Sequence, residues 1–377
     1  MLSPLKKGIE VEVFTGTRSG DAVGMSPKIV PALPEFVYES DARHVEYMTA
    51  PQTDYDELLR EIVEPRLRLR QFLETQDKRL TIFPGSTIAL PHSQEFELSL
   101  PNNTYYQWVG QEFGTNILTS SVYISIGLDD PDDIIRVTNW LRLDVPLLLA
   151  LTAASPYRNG VNTGHHSSRW IDFPQEPVDL AFFDDHAHFV RFVEDALAAG
   201  KMRSIRHMWS AVRPNGPDRP YDLNRIEMRI CDLVYDPALL MAVTALLEAR
   251  IQMLLLKTGK PADHLLGVAR ENERRVAKDS LNASVWHYGQ QVPVRVAIAR
   301  MIGEVEGLMR AQGTYHHLAA IDEVLAKGNE AMRFLDRVDA LDGDLRAAVM
   351  EQIDEAEAID YRWATILAER GQGVEAL

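Results

Sequence analysis

The sequence has a single cysteine, Cys231, which excludes an internal disulfide and a cysteine-rich zinc centre, so stability must come from packing. Positive charge is also scarce: 39 Lys plus Arg stand against 55 Asp plus Glu, a formal net charge of −16. That balance opposes nucleic acid and anionic membranes as partners. Long apolar runs are missing as well. Stretches such as Leu147 to Leu151 fall far short of the ~18 residues a membrane span needs, and the N-terminus shows no signal-peptide core, so a cytoplasmic protein is expected. Neither G-x-x-x-x-G-K-[ST] nor a G-x-G-x-x-G fingerprint after a strand occurs, which removes the P-loop and Rossmann architectures. Present instead are 377 residues, 46% apolar and 25% charged, an ordinary globular mixture long enough for a large core.

Short β-like runs fill the first half, at 8–14, 43–48, 80–83 and 120–128, with helical periodicity at 55–75 and 132–154 between them. An amphipathic stretch at 185–199 and strand candidates at 204–213 and 224–232 follow, and then helix predominates to the C-terminus. Asp130-Pro131 and Asp236-Pro237 read as helix starts, with Asp capping the free N–H groups and Pro at the first helical position. The Pro/Gly stretch 213–220 is a loop joining two strands, Pro146 is expected to kink its helix, and 21–32 and 94–105 are expected to be flexible loops near the site. No linker or repeat divides the chain. The expectation is one α+β unit over 1–377, sheet-rich in 1–235 and mainly helical in 236–377; oligomeric state is not legible.

Strand alternation puts residues i and i+2 on one face. Ile9, Val11 and Val13 then oppose Glu10 and Glu12; Val45 and Tyr47 oppose His44, Glu46 and Met48; Val122, Ile124 and Ile126 oppose Tyr123, Ser125 and Gly127. Ile226, Met228 and Ile230 oppose Arg225, Glu227, Arg229 and Cys231. Each strand has an apolar face fit for helices. Its other face is either merely wetted or a chemical floor, and charge type favours the floor. Glutamates gathered this way repel unless a cation lies among them, and hard oxygen donors suit Mg²⁺ or Mn²⁺. Carboxylates with arginines point to metal-bound phosphates.

The motifs Gly8-Ile-Glu10-Val-Glu12, His44-Val-Glu46-Tyr-Met-Thr49, Pro84-Gly-Ser-Thr87, Ala154-Ser-Pro156 with Thr163-Gly164 and Ser168-Arg169-Trp170, Trp209-Ser-Ala-Val-Arg213-Pro-Asn215 and Arg225-Ile-Glu227-Met-Arg229-Ile-Cys-Asp232 together resemble the glutamate–cysteine ligase family, in its short cyanobacterial-type branch. Asn272-Glu273 and Ala277-Lys-Asp-Ser-Leu281 extend the likeness over most of the chain. The resemblance implies a glutamine synthetase-like fold, a curved antiparallel sheet with helices on its convex face. It implies an ATP-dependent ligase that activates the γ-carboxylate of glutamate as a γ-glutamyl phosphate and passes it to the amine of cysteine, the first step of glutathione biosynthesis. It also implies ATP and Mg²⁺, or Mn²⁺, as cofactors. By the same resemblance Glu10, Glu12, Glu46 and Glu227 are metal-binding carboxylates, with Glu39 a further candidate. Arg169 would grip the glutamate α-carboxylate, Arg229 and Glu227 would serve catalysis at the phosphates, and Arg213 and Arg225 would contact phosphate or substrate. Two alternatives stay open: a different amine as acceptor, or a non-catalytic nucleotide-binding protein on the same fold.

The family usually has a histidine ligand where this chain has Tyr123. Neutral Tyr is a poor ligand, and the expectation is that Mg²⁺ is kept by carboxylates and water, against a changed preference or lost catalysis. His186 and His188 are expected on a first helical turn, outside any metal site. His165 and His166 lie in a loop, Cys231 is expected to be a buried packing residue, and Lys278 shares the family's pattern.

Overall fold

The computed structural model describes residues 3–174 and 180–369. The strands are β1 (Lys7–Thr17), β2 (Phe36–Tyr38), β3 (His44–Met48), β4 (Leu80–Phe83), β5 (Val122–Gly127), β6 (Tyr157–Arg158), β7 (Val161–Asn162), β8 (Val212–Asn215), β9 (Arg225–Met228), β10 (Ser284–His287) and β11 (Gln290–Pro293). Seven of them form one open antiparallel sheet in the order β2-β3-β1-β5-β9-β8, with β4 on the far end of β1. At eleven residues, β1 is long enough to pair with three strands: Lys7 to Val11 face β5, Glu10 to Phe14 face β3, and Phe14 to Thr17 face β4.

One face of this sheet is the core. Ile9, Val11, Val13, Val45, Val122, Ile124, Ile126, Ile226 and Met228 are buried there. The helix Tyr55–Gln76 lies against β1 and β4, and Pro131–Leu141 lies against β8 and β9. Both start where the sequence says: Asp54 and Asp130 accept hydrogen bonds from the second and third N–H groups beyond them. Behind this layer runs the helix Pro237–Leu254, 18 residues long, mostly apolar and buried on nearly every side, its Glu248 and Arg250 paired with Lys7 and Asp144. It is long and apolar enough to cross a membrane, which a scan for unbroken apolar runs misses, yet 83% of it is buried inside the protein, as in a central core helix. The antiparallel α+β architecture with a mainly helical C-terminal portion is as expected, apart from the hairpin β10–β11 within that portion.

Several local expectations fail for physical reasons. Pro146 does not kink a continuous helix; the chain breaks at Arg142–Asp144 and Pro146 sits in the first turn of a second helix, Val145–Thr152, where its missing N–H costs nothing. The strand candidate 204–213 is a 3₁₀ turn, Ile205–His207, followed by β8, because His207 and Trp209 are drawn into an aromatic cluster. The candidate 224–232 ends as a strand at Met228. There the N–H groups of Arg229 and Ile230 both donate to the carbonyl of Ala211, a bulge that breaks the two-residue alternation. Cys231 therefore turns into the core beside Ile230 instead of sharing a face with Glu227, and burial pushes its thiol up to about 12. The segments 21–32 and 94–105 contain, respectively, the helix Ser26–Ala32 and the start of the helix Thr104–Phe113.

Candidate active site

Register turns the face pattern into rows. Glu46 lies opposite Glu12; Met48, Glu10 and Tyr123 form the next row; Gly8, Ser125, Glu227 and Arg213 form the third. These side chains floor the face opposite the core, beneath a cavity of about 540 Å³ lined by Glu10, Glu12, Glu39, Glu46, Tyr123, Arg213 and Arg229 among others.

At the β1–β3 end the floor is acidic. One carboxylate oxygen from each of Glu12, Glu39 and Glu46 lies within 4.8 Å of the other two. Glu12 is buried and accepts a 2.5 Å hydrogen bond from Ser121; the other two are half-buried. Among the described residues none of the three is ion-paired. Burial pushes the Glu46 carboxyl well above its ordinary range, and the neighbouring Glu39 adds to it; burial also raises Glu12, and raises Glu10 to about 7 with help from Glu227. Nearby Asp41 also lines the cavity but is neutralised by Arg43 at 2.7 Å. Three converging carboxylates without a salt bridge among the described residues fit a hard divalent cation such as Mg²⁺ or Mn²⁺.

At the β8–β9 end a carboxylate is ion-paired instead. Glu227 Oε1 accepts from Arg213 and from Arg229, each at 2.7 Å, and Oε2 accepts from the Asn215 amide. Burial pushes this carboxyl up, but the two guanidinium groups outweigh it and hold it well below the ordinary range. Arg229 also stacks its guanidinium 4.0 Å from the centre of the Tyr123 ring. Arg219, held by the Ile205 carbonyl and by Asn215, adds a third guanidinium beside that single carboxylate, and Arg206, stacked on Tyr105, stands at the cavity wall. The surplus of positive charge here suits an anionic ligand.

Arg206 and Arg219 were not singled out from the sequence, and Asn215 only as the end of a motif; Arg219 lies in the Pro/Gly stretch 213–220, and Arg206 on the 3₁₀ turn Ile205–His207 before it. The loop needs Gly216: a Cβ there would lie 1.9 Å from the carbonyl oxygen of Asp222. The cavity roof was also missed. The helix Thr104–Phe113, capped by Asn103, presents Tyr105, Tyr106 and Val109, and Phe96, Leu100, Phe173 and Trp209 complete an apolar wall. Trp108 stacks on His207 at 4.6 Å behind it. An N-cap followed by an amphipathic turn was the available signal, hidden by the β-propensity of Tyr and Trp.

Of the expected residues, Glu10, Glu12, Glu39, Glu46, Tyr123, Arg213 and Arg229 line the cavity, and Glu227 lies just beneath it. Arg169 does not line it. It is buried under the floor, its guanidinium donating to the carbonyls of Ile230 and Arg229. Arg225 lines a second cavity of about 320 Å³ with Gly8, Thr49, Pro51, Ser125, Gly127 and Asn224, and the two cavities meet at Glu10 and Met48. His165 bonds to Thr163 within its own loop, His166 reaches out to Lys278 and Ser280, and His186 and His188 sit on a first helical turn.

Comparison with known proteins bears on the fold and the family. A relative from Gloeobacter violaceus, provisionally named glutamate–cysteine ligase 2, is 32% identical over 219 residues, 56% of this chain and 58% of its own length; the alignment thus spans under two thirds of that relative. One from Rubrobacter xylanophilus, provisionally named glutamate–cysteine ligase 2-3, is 28% identical over 335 residues, 86% of this chain and 88% of the relative. Among solved structures, a glutamate–cysteine ligase from Francisella tularensis in complex with AMP has a TM-score of 0.76 over 98% of this chain and 92% of that one, at 13% identity. A bifunctional glutathione synthetase from Pasteurella multocida gives 0.75 over 95% of this chain and 53% of that one, at 16% identity. Likeness at such identities is likeness of fold, and it establishes the expected architecture. The pattern of glutamate–cysteine ligase family 2 matches residues 6–351, a span that holds both ends of the charged floor and the helices behind it, and the chain belongs to that family.

Proposed function

We propose that this chain is an ATP-dependent carboxylate–amine ligase that joins the γ-carboxylate of glutamate to the amine of cysteine, forming γ-glutamylcysteine as the first step of glutathione biosynthesis. The observation that carries the reading is the divided floor: three carboxylates with no salt bridge among the described residues at one end and an arginine cluster at the other, under one cavity.

In this reading Glu12, Glu39 and Glu46 hold Mg²⁺, which supplies charge neutralisation at the phosphates when bound. The smaller cavity at Gly8, Ser125, Gly127 and Arg225 takes the nucleoside, which directs the triphosphate over Glu10 toward Arg229 and Arg213. A γ-carboxylate oxygen attacks the terminal phosphorus, the bond to the β-phosphate oxygen breaks and ADP leaves. Arg213 and Arg229 stabilise the charge that develops on the transferring group, fixed in advance by Glu227 so that no reorganisation is needed. The neutral amine then attacks the acyl carbon, the bond from that carbon to the phosphate oxygen breaks, and the nitrogen's proton leaves with the departing phosphate. Arg206 and Arg219, neither of them ion-paired among the described residues, are the cavity guanidinium groups that would meet a substrate carboxylate. Arg169 holds the end of β9 from below, a positioning role in place of a direct grip on substrate.

One observation favours a different acceptor within the same chemistry. The roof and outer wall, from Phe96 and Val109 to Phe173 and Trp209, are apolar and aromatic, which suits an amine with an apolar side chain. ADP release with ATP, Mg²⁺ and glutamate, measured against a panel of amines, decides. Stimulation by cysteine supports the specific assignment; stimulation only by bulkier apolar amines rejects it while keeping the ligase. No γ-glutamyl product with any amine leaves the non-catalytic reading.

A further inference from the structure

Four glutamates of the floor resemble metal ligands, yet their surroundings differ. Glu10 and Glu227 belong to the part of the floor that also holds Tyr123, opposite Glu10 in register. A cation there would need carboxylate oxygens with free lone pairs and a third donor. Glu227 has little to offer: Oε1 carries two guanidinium N–H groups and Oε2 the Asn215 amide, so three of its roughly four lone-pair sites are taken and its charge is already neutralised by the two arginines. Tyr123 is buried at 7% exposure and its ring face is covered by Arg229 at 4.0 Å. Its phenol, pushed further up by burial, stays neutral and is a weak ligand. Placing a divalent ion among these groups would set it beside Arg229 and Arg213, two positive charges already desolvated. Glu10 alone is then left, and it is not among the carboxylates that converge at the other end.

We propose that this chain holds no second cation between Glu10, Tyr123 and Glu227, and that the Arg213–Glu227–Arg229 clamp, faced by Tyr123, supplies in its place the positive charge that meets a phosphate. Arg213 and Arg229 thereby become phosphate-facing residues of the proposed reaction, and Glu227 a positioning residue that aims them. This deepens the ligase reading and rests on it for the identity of the anion, but the ion count stands by itself.

The test is a titration of the purified 377-residue chain with Mn²⁺ alone, followed by electron paramagnetic resonance of the free ion. One ion per chain is expected. Glu12→Gln or Glu46→Gln is expected to abolish that binding, while Glu10→Gln and Glu227→Gln leave the stoichiometry at one and shift its dissociation constant by less than threefold. Two ions bound to the parent chain, or loss of a bound ion in Glu10→Gln, overturns the proposal. Glu10→Gln keeps the test decisive should Glu227→Gln, which strips two buried arginines of their partner, fail to fold. Ion counting needs no turnover, so it can fail while γ-glutamyl product still forms, and the two readings fail separately.

Discussion

The two ends of the sheet floor carry the same residue type on the same face and treat it oppositely. Glu46 and Glu12, paired across β3 and β1, meet a further glutamate and, among the described residues, no salt-bridging cation. Glu227, two strands over from β1, meets two arginines and an amide. Mutual repulsion and burial make the first end a poor place for charge until a cation arrives; ion pairing makes the second complete as it stands. The difference shows that a glutamate's chemistry on a strand is set by its cross-strand neighbours, and that one floor can divide phosphate binding between a metal and guanidinium groups.

Breaking the acidic end has the largest expected effect. Glu46→Gln should lower the rate of ADP formation with glutamate and amine by on the order of 10²–10³-fold, while the thermal midpoint of the metal-free protein holds or rises, because a repelled carboxylate is removed. Loss of stability in parallel with activity would mean that the cluster is structural.

Breaking the arginine end should instead cost stability. Arg213→Met leaves the buried Glu227 one guanidinium short and is expected to destabilise by about 3 kcal/mol in urea unfolding. Adding Glu227→Gln to Arg213→Met should recover part of that loss, and strict additivity would show that the two groups are not coupled.

A third acid sharpens the contrast away from the floor. Glu273 is buried, accepts a hydrogen bond from the Trp170 indole and is pushed up by burial to about 7 from an ordinary value of 4.5. A carboxyl raised on folding binds more protons folded than unfolded, so its contribution is fully present below the unfolded value and is lost as pH rises toward 7. Unfolding free energy should therefore fall by up to about 3 kcal/mol across that window, and Glu273→Gln should flatten the profile. An unchanged slope in the variant would assign the decline to other groups.

The smallest effect concerns the roof over both ends. Asn103 accepts from the N–H groups of Tyr105 and Tyr106, and Asn103→Ala should cost about 1 kcal/mol, confined to the helix Thr104–Phe113. Hydrogen exchange at those two amides should quicken while core strands stay protected.

Much of the floor is legible in the sequence because alternation is a local rule. Glu10, Glu12, Glu46 and Tyr123 face one way once Ile9, Val11, Val45 and Ile124 face the other, and β4 falls where its apolar run does. Helix starts at Asp54, Asp130 and Asp236 are equally local, since a cap needs only its own next few N–H groups. Cys231 shows the limit: a bulge at Arg229 and Ile230 depends on the carbonyl of Ala211, eighteen residues before Arg229, and one extra residue reverses a face.

By itself, then, the sequence determined which side chains share a face, which face meets the helices, and, through resemblance, the family. Tertiary structure decided which glutamates meet one another and which meet arginines. Cross-strand register, the β8–β9 loop around Gly216 and the roof helix bring together groups far apart in the chain, and the Coulomb interaction that distinguishes a metal site from an ion pair acts over those distances in space, with no trace in local periodicity.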